Sequence, residues 1–437
     1  MMINRETFIC RQLFPICISD YLPDATGDFI LYSPLAHGLI LLDEQQLEEL
    51  QQQLERDGKF SDEKLQKSLI GEAKIPEPNY VTSPNSAFAL TILPNNICNF
   101  SCSYCYAAKG HGKDELTKET LKTVLDFFVD PNRITRKDLY ISFGGGGEPL
   151  LSWSKVKYAI DYSYSLAMKY GFDIHYSYAS NGSVMNKEII EAIHLFNIKV
   201  NISFDILEEI QQLQRKNYQQ VCKTLDALIA NNITPTINSV ITPENVTLQS
   251  EMVEEIHQRF PKLRRLSFDF VVDGKLFNEP KELRRFYEEY TYHFFKARTL
   301  GESYNISVSS IKHHNLSLLK TRACQGGFDL TPTGELSMCF FVSSPKEELY
   351  NEFIYGKVND GKIDFDYEKF SSLVSFSSNN KESCRDCFIR WHCGGGCLYH
   401  TKTYPKSLLA EMCIFQRRFS LISLLNDIKG TNVLITA

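Results

Sequence analysis

The sequence has no apolar run long enough to span a membrane and no excess of positive charge. Its net charge at pH 7 is −6, which provides no basic field for nucleic acid or for an anionic membrane surface. The N-terminal residues lack the cationic-then-apolar pattern of a secretion signal, and we find no internal repeat or low-complexity tract. We therefore expect a cytoplasmic protein with neither a nucleic-acid partner nor a membrane partner.

What the sequence does contain is thirteen cysteines in a composition that is otherwise ordinary, with 43% hydrophobic and 23% charged residues. A reducing compartment disfavours disulfides, so clustered cysteines indicate metal or redox chemistry. Cys10, Cys17 and Cys222 stand alone and are interpreted as ordinary small apolar residues. The other ten form a short loop and a C-terminal group: Cys98, Cys102 and Cys105, then Cys324, Cys339, Cys384, Cys387, Cys393, Cys397 and Cys413.

Three parts are predicted along the chain, at 1–85, 86–305 and 306–437. The first is predicted to be a small α+β domain, with two short strands followed by a helix that Asp43 caps and a linker at 76–79. The last is rich in cysteine, glycine and turn residues. Because a loop-rich region of that length has little hydrophobic core of its own, metal clusters are expected to hold it together.

The middle part alternates between strand and helix patterns six times, which favours a parallel sheet covered by helices. Strands are predicted at 88–93, 139–143, 173–179, 199–204, 234–241 and 265–271. Periodicity alone does not choose between an incomplete barrel and an open doubly wound sheet. Functional groups are expected at the carboxyl ends of the strands in either case.

Cys98, Cys102 and Cys105 follow the first of these strands with the spacing Cys-x3-Cys-x2-Cys. Three thiolates can hold three irons of a four-iron cluster and leave the fourth iron open. An open metal position is what a catalytic site requires, whereas structural sites are closed. The alternative is a zinc site formed by the same three thiols and His111, and the spacing alone does not distinguish between the two interpretations.

Residues 98–105, CNFSCSYC, resemble the motif of the radical S-adenosylmethionine (SAM) superfamily. Residues 144–149, GGGGEP, are similar to the element of that superfamily that holds the methionine amino group of SAM. The resemblance implies a partial (β/α)6 barrel, resembling a TIM barrel, and a catalytic [4Fe-4S] cluster on the three cysteines. It also implies that Tyr104 lies near the adenine, and that Ser203 and Arg215 contact ribose and the methionine carboxylate. The implied SAM-binding residues are Tyr104, Gly146, Gly147, Glu148, Ser203 and Arg215.

The seven C-terminal cysteines match the spacing of the SPASM extension found in part of that superfamily, with two zinc ribbons as the alternative. The resemblance implies two auxiliary [4Fe-4S] clusters. The distal one would use Cys384, Cys387, Cys393 and Cys413, and the proximal one Cys324, Cys339 and Cys397. The stretch 325–330 contains no further cysteine. The fourth proximal position is therefore left open, or taken by Asp329 or by a distant residue.

The resemblance implies an oxidoreductase that abstracts a hydrogen atom with a 5′-deoxyadenosyl radical. Two auxiliary clusters suggest a net two-electron oxidation, and SPASM relatives mostly act on peptides. The leading hypothesis is a maturase that oxidatively cross-links side chains of a ribosomally synthesised precursor peptide (RiPP), with a flavodoxin or ferredoxin as electron donor. Residues 1–85 then either bind the leader peptide by strand addition or brace the barrel as a plain capping domain.

Two other functions are weighed against this one. A formylglycine-forming enzyme, similar to sulfatase maturases, would typically have an aspartate after the second SPASM cysteine, but Cys339 is followed by Phe340 and Phe341. An electron-transfer protein would not need the SAM-binding residues around Glu148. The general base is not identified, and the candidates by position are Asp269, Asp329 and Glu335.

Overall fold

The computed structural model describes residues 3–22, 28–71, 75 and 81–427. Its strands form a three-stranded sheet near the N-terminus and an eleven-stranded sheet that runs through the rest of the chain. The linker predicted at 76–79 lies outside the described residues. No helix in the described part of the chain is long and apolar enough to cross a membrane.

The small sheet is antiparallel, in the order β1-β2-β3, and three helices accompany it. Its elements are α1 (Arg5–Ile9), β1 (Phe14–Cys17), β2 (Phe29–Ser33), β3 (Gly38–Leu42), α2 (Glu44–Asp57) and α3 (Glu63–Leu69). The two predicted strands correspond to β2 and β3, whereas β1 was not predicted. Asp43 caps α2 as expected, because its carboxylate accepts from the Gln46 amide while the Gln46 side chain accepts from the Asp43 amide.

The two faces of the small sheet pack on different partners. Leu31 belongs to a core that it shares with α2 and α3, whereas its neighbours Ile30 and Tyr32 pack with Phe388 and the end of the chain near Leu421. This alternation is what the two-residue period of a strand produces. The N-terminal unit is therefore anchored on the C-terminal cysteine region.

The large sheet begins with six parallel strands in chain order. They are β4 (Ala89–Ile92), β5 (Asp138–Phe143), β6 (Asp173–Ser180), β7 (Lys199–Ser203), β8 (Thr236–Ile241) and β9 (Arg265–Phe270). The helices are α4 (Lys118–Phe128), α5 (Trp153–Tyr170), α6 (Lys187–Phe196), α7 (Glu208–Gln214), α8 (Tyr218–Ala230), α9 (Gln249–Arg259) and α10 (Pro280–Ser303). A doubly wound sheet reverses its strand order at a switch point, and this sheet does not. The partial barrel is therefore confirmed.

Helix α4 illustrates why the covering helices form. Its buried residues are Leu121, Val124, Leu125 and Phe128, which recur at intervals of three and four and so occupy one face. Thr117 begins the helix, since its hydroxyl accepts from the Thr120 amide. The apolar face then packs into the core that includes the strands of the sheet.

The C-terminal region adds strands to both ends of this sheet. Its elements are β10 (Ser307–Ser309), α11 (Ile311–Asn315), β11 (Asp329–Leu330), β12 (Glu335–Ser337), α12 (Tyr350–Phe353), β13 (Ile354–Asn359), β14 (Lys362–Phe365), α13 (Tyr367–Val374), α14 (Arg390–Cys393), α15 (Leu398–Thr403) and α16 (Lys406–Asp427). Strand β10 pairs in parallel with β9, and β11 pairs in parallel with β4. Strands β12 to β14 follow β11 as an antiparallel extension. The sheet thus continues past residue 305, where we predicted a domain boundary.

Candidate active site

A cavity of about 320 Å³ lies at the carboxyl ends of the barrel strands. It is lined by every residue predicted to hold the catalytic cluster or SAM: Cys98, Cys102, Tyr104, Cys105, Gly146, Gly147, Glu148, Ser203 and Arg215. These residues come from the loop after β4, the turn after β5, the end of β7 and the segment that follows α7. The structure therefore brings together one set of side chains that the sequence spreads over more than a hundred positions.

The three thiols of the cysteine loop are partly buried beside one another. Burial raises the pKa of Cys98 and Cys105, and raises that of Cys102 to about 11. A bound metal cation lowers the pKa of a thiol instead, because a coordinating thiol is deprotonated. Within the described residues, no three His, Cys, Asp or Glu side chains lie close enough to hold a single metal ion. An iron–sulfur cluster is held differently, since each cysteine thiolate binds its own iron.

The glycine turn after β5 packs against the chain that leads into the cysteine loop. Gly145 and Gly146 have φ values of +83° and +64°, a conformation that favours glycine. A Cβ added to Gly147 would lie 2.1 Å from the Ile97 carbonyl oxygen, so no larger residue fits there. The Glu148 amide donates to the same carbonyl at 2.8 Å. The glycines are thus required for the turn to approach the cysteine loop this closely.

The Glu148 carboxylate is buried and accepts three hydrogen bonds from the chain itself. The donors are the Leu150 amide at 3.0 Å, the Ser180 hydroxyl at 2.8 Å and the Asn181 amide at 2.6 Å. Burial raises the pKa of Glu148, and these donors lower it in part. Its carboxylate therefore fastens the glycine turn to the end of β6 while it also lines the cavity. Whether it contacts SAM stays a prediction.

Tyr104 lies between two buried charged side chains. Its hydroxyl is 2.9 Å from the Asp205 Oδ2 to which it donates, and it accepts from the Arg215 Nη1 at 2.9 Å. The Arg215 Nε is buried and has no hydrogen-bond partner among the described residues. Buried guanidinium groups that lack a full set of acceptors favour an anionic ligand. This network fits a carboxylate bound in the cavity.

Two residues that line or support the cavity, Asn181 and Asp205, were not among the predicted contacts, and a third, Asp269, was predicted only as a candidate base. Asn181 donates to the Asn99 side chain at 3.1 Å and its amide lies 3.9 Å from the Cys98 sulfur. Asp205 orients Tyr104, as described above. Asp269 lines the cavity, and its carboxylate accepts from the Ser267 hydroxyl and the Ile311 amide at 2.9 and 2.7 Å. Each follows or ends a barrel strand, and this position was the only sequence signal that pointed to them.

Of the three base candidates, only Asp269 is among the residues that line this cavity. Asp329 is buried in β11, and Glu335 in β12 interacts with the Thr331 hydroxyl at 2.9 Å. Burial raises the pKa of Asp269, and it raises that of Asp329 to about 7. The sequence alone offered no reason to prefer one of the three candidate bases, whereas the location of the cavity favours Asp269.

A second cavity, of about 290 Å³, shares part of its wall with the first. The shared lining consists of Tyr104, Cys105, Tyr106, Val272 and Phe341. Its remaining wall comes partly from two loops of the barrel, around Lys109 and Lys275, and partly from the C-terminal region, including residues of α15. At its rim, Glu348 forms ion pairs with Lys109 and Lys275 at 2.6 and 3.3 Å, so that one carboxylate joins two loops of the barrel.

The C-terminal cysteines separate into two neighbourhoods, the first of which we term the distal cysteine group. Burial raises the pKa of Cys384 and Cys413, and raises that of Cys387 to about 11. The thiol of Cys393 raises all three further, so the four thiols are close neighbours. Arg417 lowers the pKa of Cys387 and Cys413, which is a favourable placement for an anionic cluster.

The second neighbourhood, the proximal cysteine group, contains Cys324, Cys339 and Cys397. Burial raises the pKa of Cys324 and Cys339, and the Cys397 thiol and the Asp329 carboxylate raise both further. The carboxylate therefore lies near the Cys324 and Cys339 thiols. The two groups have the membership that the resemblance implied, while their role as cluster ligands stays a prediction.

Three consecutive glycines explain how Cys393 and Cys397, close in sequence, join different groups. Residues 394–396 all have positive φ values, of 62°, 83° and 85°. A Cβ on Gly394 would lie 2.4 Å from the Ala323 amide nitrogen, and one on Gly395 would lie 2.7 Å from the Ser378 amide nitrogen. Only glycine permits this course of the backbone.

Comparison with known proteins gives a consistent result. The sequence profile of the Radical SAM superfamily matches residues 92–256. The radical SAM cyclopropyl synthase TigE of Paramaledivibacter caminithermalis is 24% identical over 349 residues, which are 73% of this chain and 70% of that protein.

Two solved structures have a similar fold. The structure of anSMEcpe with bound AdoMet superposes with a TM-score of 0.57 at 17% identity, covering 78% of this chain and 100% of that chain. The structure of Streptococcus suis SuiB bound to precursor peptide SuiA superposes with a TM-score of 0.52 at 15% identity, covering 91% of this chain and 98% of that chain. At these identities the likeness establishes the fold alone.

Proposed function

We propose that this chain, which is a radical SAM superfamily enzyme, is a maturase that oxidatively cross-links side chains of a ribosomally synthesised precursor peptide. The observation that carries this proposal is the pair of adjoining cavities. One is lined by all three cysteines of the loop, the other lies between barrel loops and the C-terminal region, and they share Tyr106 and Phe341. A cofactor in the first cavity is then in reach of a peptide side chain in the second.

The proposed cofactors are SAM and three [4Fe-4S] clusters. The cysteine loop would hold one cluster, the distal and proximal cysteine groups would each hold one auxiliary cluster, and SAM would lie in the first cavity. When bound, SAM and its cluster supply a 5′-deoxyadenosyl radical that removes a hydrogen atom from carbon. The unpartnered Arg215 Nε and the converging thiols support this placement.

Within this cavity the chain's own groups have separable tasks. Arg215 binds the carboxylate end of the ligand, because its fork provides several donors in a fixed plane. The glycine turn allows the ligand to approach the backbone, and Glu148 keeps that turn in place. Asp269 accepts the proton that the oxidised substrate must lose, since it is the base candidate whose carboxyl group lines the cavity.

The second cavity suits a peptide side chain. Tyr106 and Phe341, with ring centroids 4.2 Å apart, give it an aromatic wall, while Lys109, Lys275 and Glu348 give it a charged rim. An apolar wall with a few polar groups at the mouth is typical of ligand pockets. SuiB, which shares the fold, is solved with its precursor peptide, and this supports a peptide as the partner here.

We also propose three domains, at 1–85, 86–305 and 306–437, with leader-peptide recognition by the first. Strand β3 is the last strand of the small sheet in the described part of the chain, and β2 is the strand it pairs with. An unpaired edge of this kind can accept an extended peptide. Part of that edge is close to α3, because a Cβ on Gly38 would lie 2.0 Å from the Ser68 carbonyl oxygen. The accessible part is thus the end towards Leu42.

The name of one relative, a cyclopropyl synthase, supports a proposal for the type of bond that is formed. A cyclopropyl group is a ring of three carbons, so a new carbon–carbon bond is the product favoured by that likeness. Such a bond joins either two side chains or two carbons of one residue. Both outcomes remove hydrogen atoms in pairs.

The test is anaerobic co-expression of the enzyme with a short peptide encoded beside its gene, followed by mass spectrometry. We expect a loss of hydrogen atoms in pairs, with no fragment ions between the two joined residues. The same loss with complete fragmentation would place the new bond within one residue and contradict the cross-link. The control is the Cys98→Ala variant, which should leave the peptide unmodified. An unchanged peptide from an enzyme that still cleaves SAM would instead favour a folded-protein substrate, such as one oxidised to formylglycine.

A further inference from the structure

Beside the proximal cysteine group lies a buried carboxylate that has no cationic partner in the described part of the chain. Asp329 is 5% exposed, and within residues 3–22, 28–71, 75 and 81–427 no lysine, arginine or histidine forms an ion pair with it, while the Thr91 hydroxyl and the Phe340 amide donate hydrogen bonds to it. It is also absent from the lining of both cavities, so it does not face the proposed substrate. Buried carboxylates are normally paired with a cation or coordinated to a metal.

The strand pairing explains why this carboxylate points at the cysteines. Strand β11 has only two residues, and Leu330 packs into the core with β4, so Asp329 faces the opposite way. Across the hairpin Asp329 pairs with Ser337, whose hydroxyl accepts from the Cys339 amide at 3.2 Å. The carboxylate is thereby held beside Cys339 and near Cys324.

Gly327 leaves room for this carboxylate because it has no side chain. A Cβ on Gly327 would lie 2.8 Å from the Asp329 Oδ2 and 2.0 Å from the Met338 carbonyl oxygen. Any other residue at 327 would therefore displace the carboxylate or the hairpin. The loop between Cys324 and Asp329 is folded so that a carboxyl oxygen occupies this space.

We propose that Asp329 is the fourth ligand of the proximal cluster, completing a site of three thiolates and one carboxylate. This inference rests on the proposed function, which places an auxiliary cluster on Cys324, Cys339 and Cys397. A four-iron cluster offers one position to each of four ligands, and the polypeptide here brings four anion-forming groups together. The proximal cluster then has no iron free to bind substrate.

The experiment uses the full chain in which Cys98, Cys102 and Cys105 are all alanine, so that only the auxiliary clusters remain. This parent is reconstituted with iron and sulfide, reduced, and studied by electron paramagnetic resonance with and without added cyanide. We expect two cluster signals, neither of which cyanide shifts. In Asp329→Asn and Asp329→Ala one signal should change and become sensitive to cyanide, because an iron position is opened.

Asp329→Cys supplies a different ligand at the same position. It should retain the iron content of the parent, shift the same signal, and remain insensitive to cyanide. The control is Asp364→Asn, in β14 of the same sheet, where the side chain accepts from Asn359 at 2.8 Å. That variant should reproduce the spectrum of the parent.

A spectrum of Asp329→Asn identical to the parent's would overturn the ligand assignment and leave the proposed function intact. It would mean that Asp329 only accepts hydrogen bonds, which asparagine can also do. A parent that binds no iron would overturn the ligand assignment and the auxiliary clusters together. Loss of one cluster in Asp329→Asn, with retention in Asp329→Cys, would support the assignment.

Discussion

The cysteine loop and the C-terminal cysteine groups use the same side chain in opposite surroundings. Cys98, Cys102 and Cys105 come from one short loop and open onto a cavity lined by glycines and by Arg215. The C-terminal thiols come from segments spread between Cys324 and Cys413 and line neither of the two cavities. We therefore expect the loop to leave a metal position open towards the cavity, as catalytic sites do, and the C-terminal groups to form closed sites.

The strongest test of this contrast is to remove the loop thiols singly. Cys98→Ala, Cys102→Ala or Cys105→Ala should abolish SAM cleavage, because each takes one of three ligands from the open cluster. The C-terminal region should keep its iron. Formation of 5′-deoxyadenosine and the iron content of the protein measure the two effects. Cys10→Ala, at an exposed position, is the control and should match the unmodified protein. Cleavage that persists in the loop variants would remove the basis of the comparison.

Removing a ligand from the distal group should have a structural effect instead. Cys384→Ala or Cys413→Ala should cost one cluster and lower the thermal stability of the C-terminal region, since a bound metal contributes directly to folding. Cys413 lies on α16 and Cys384 before α14, so their cluster would tie together separate segments. Iron analysis and thermal unfolding of the holoprotein are the measurements, with Cys17→Ala as the control. Unchanged iron and stability would show that these thiols are not ligands.

How far sequence predicted this molecule depends on the length of each element. The six strands β4 to β9 and the longer helices that accompany them were located because each carries a full apolar period or face, as α4 does, whereas the seven-residue helix α7 was not predicted. Strand β11 has two residues, too few for any period, and exists because β4 and β12 pair with it. The position of Asp329 near the Cys324 and Cys339 thiols follows from that pairing. It was therefore only one of several open possibilities beforehand.

The candidate site shows the same division. The cysteine spacing and the glycine turn are local, and they identified the residues around the first cavity. The hydrogen bonds from Tyr104 to Asp205 and from Arg215 to Tyr104 join residues more than a hundred positions apart. No spacing rule predicts such a network. Likewise, Asp269 was distinguished from the other base candidates only by where the cavity lies.

Asp269 and Asp329 provide a smaller version of the same comparison, one carboxylate facing the open cavity and one enclosed. Asp269→Asn should lower the rate of peptide modification by about 10²- to 10⁴-fold while SAM cleavage continues, because only proton transfer is lost. A base acts when ionised, and burial raises the pKa of Asp269. Modification should therefore decline as the pH falls through that raised pKa, at a higher pH than for an exposed aspartate. Quantification of modified peptide and of 5′-deoxyadenosine across pH separates the two steps.

Two results would contradict the role of Asp269. A variant that modifies peptide at the normal rate would show that another group accepts the proton. Parallel loss of SAM cleavage would show that Asp269 supports the cofactor site instead. Asp364→Asn is the control, since that carboxylate lies in β14 outside both cavities.

The smallest expected effect concerns the contact that joins the N-terminal unit to the C-terminal cysteine region. The Tyr32 hydroxyl lies 2.6 Å from His392 Nε2, and His392 Nδ1 lies 2.8 Å from the Leu318 carbonyl oxygen. A carbonyl only accepts, so Nδ1 carries the proton and Nε2 accepts from the tyrosine. Tyr32→Phe would leave that nitrogen buried and unsatisfied, at a cost of about 1–3 kcal/mol. The apolar contacts with Phe388 would remain, so the unit should stay docked.

Thermal unfolding of the holoprotein measures this effect, with Tyr367→Phe as the matched control because Tyr367 is 50% exposed. We expect a lower Tm for Tyr32→Phe alone, and unchanged 5′-deoxyadenosine formation in both variants. The reason is that Tyr32 contacts His392 of the C-terminal cysteine region and lies outside the lining of the first cavity. A Tm of Tyr32→Phe equal to that of the unmodified protein would show that the hydrogen bond between Tyr32 and His392 adds nothing to stability. A loss of SAM cleavage in Tyr32→Phe would show that the C-terminal cysteine region and the site around the first cavity are coupled and do not act as independent parts.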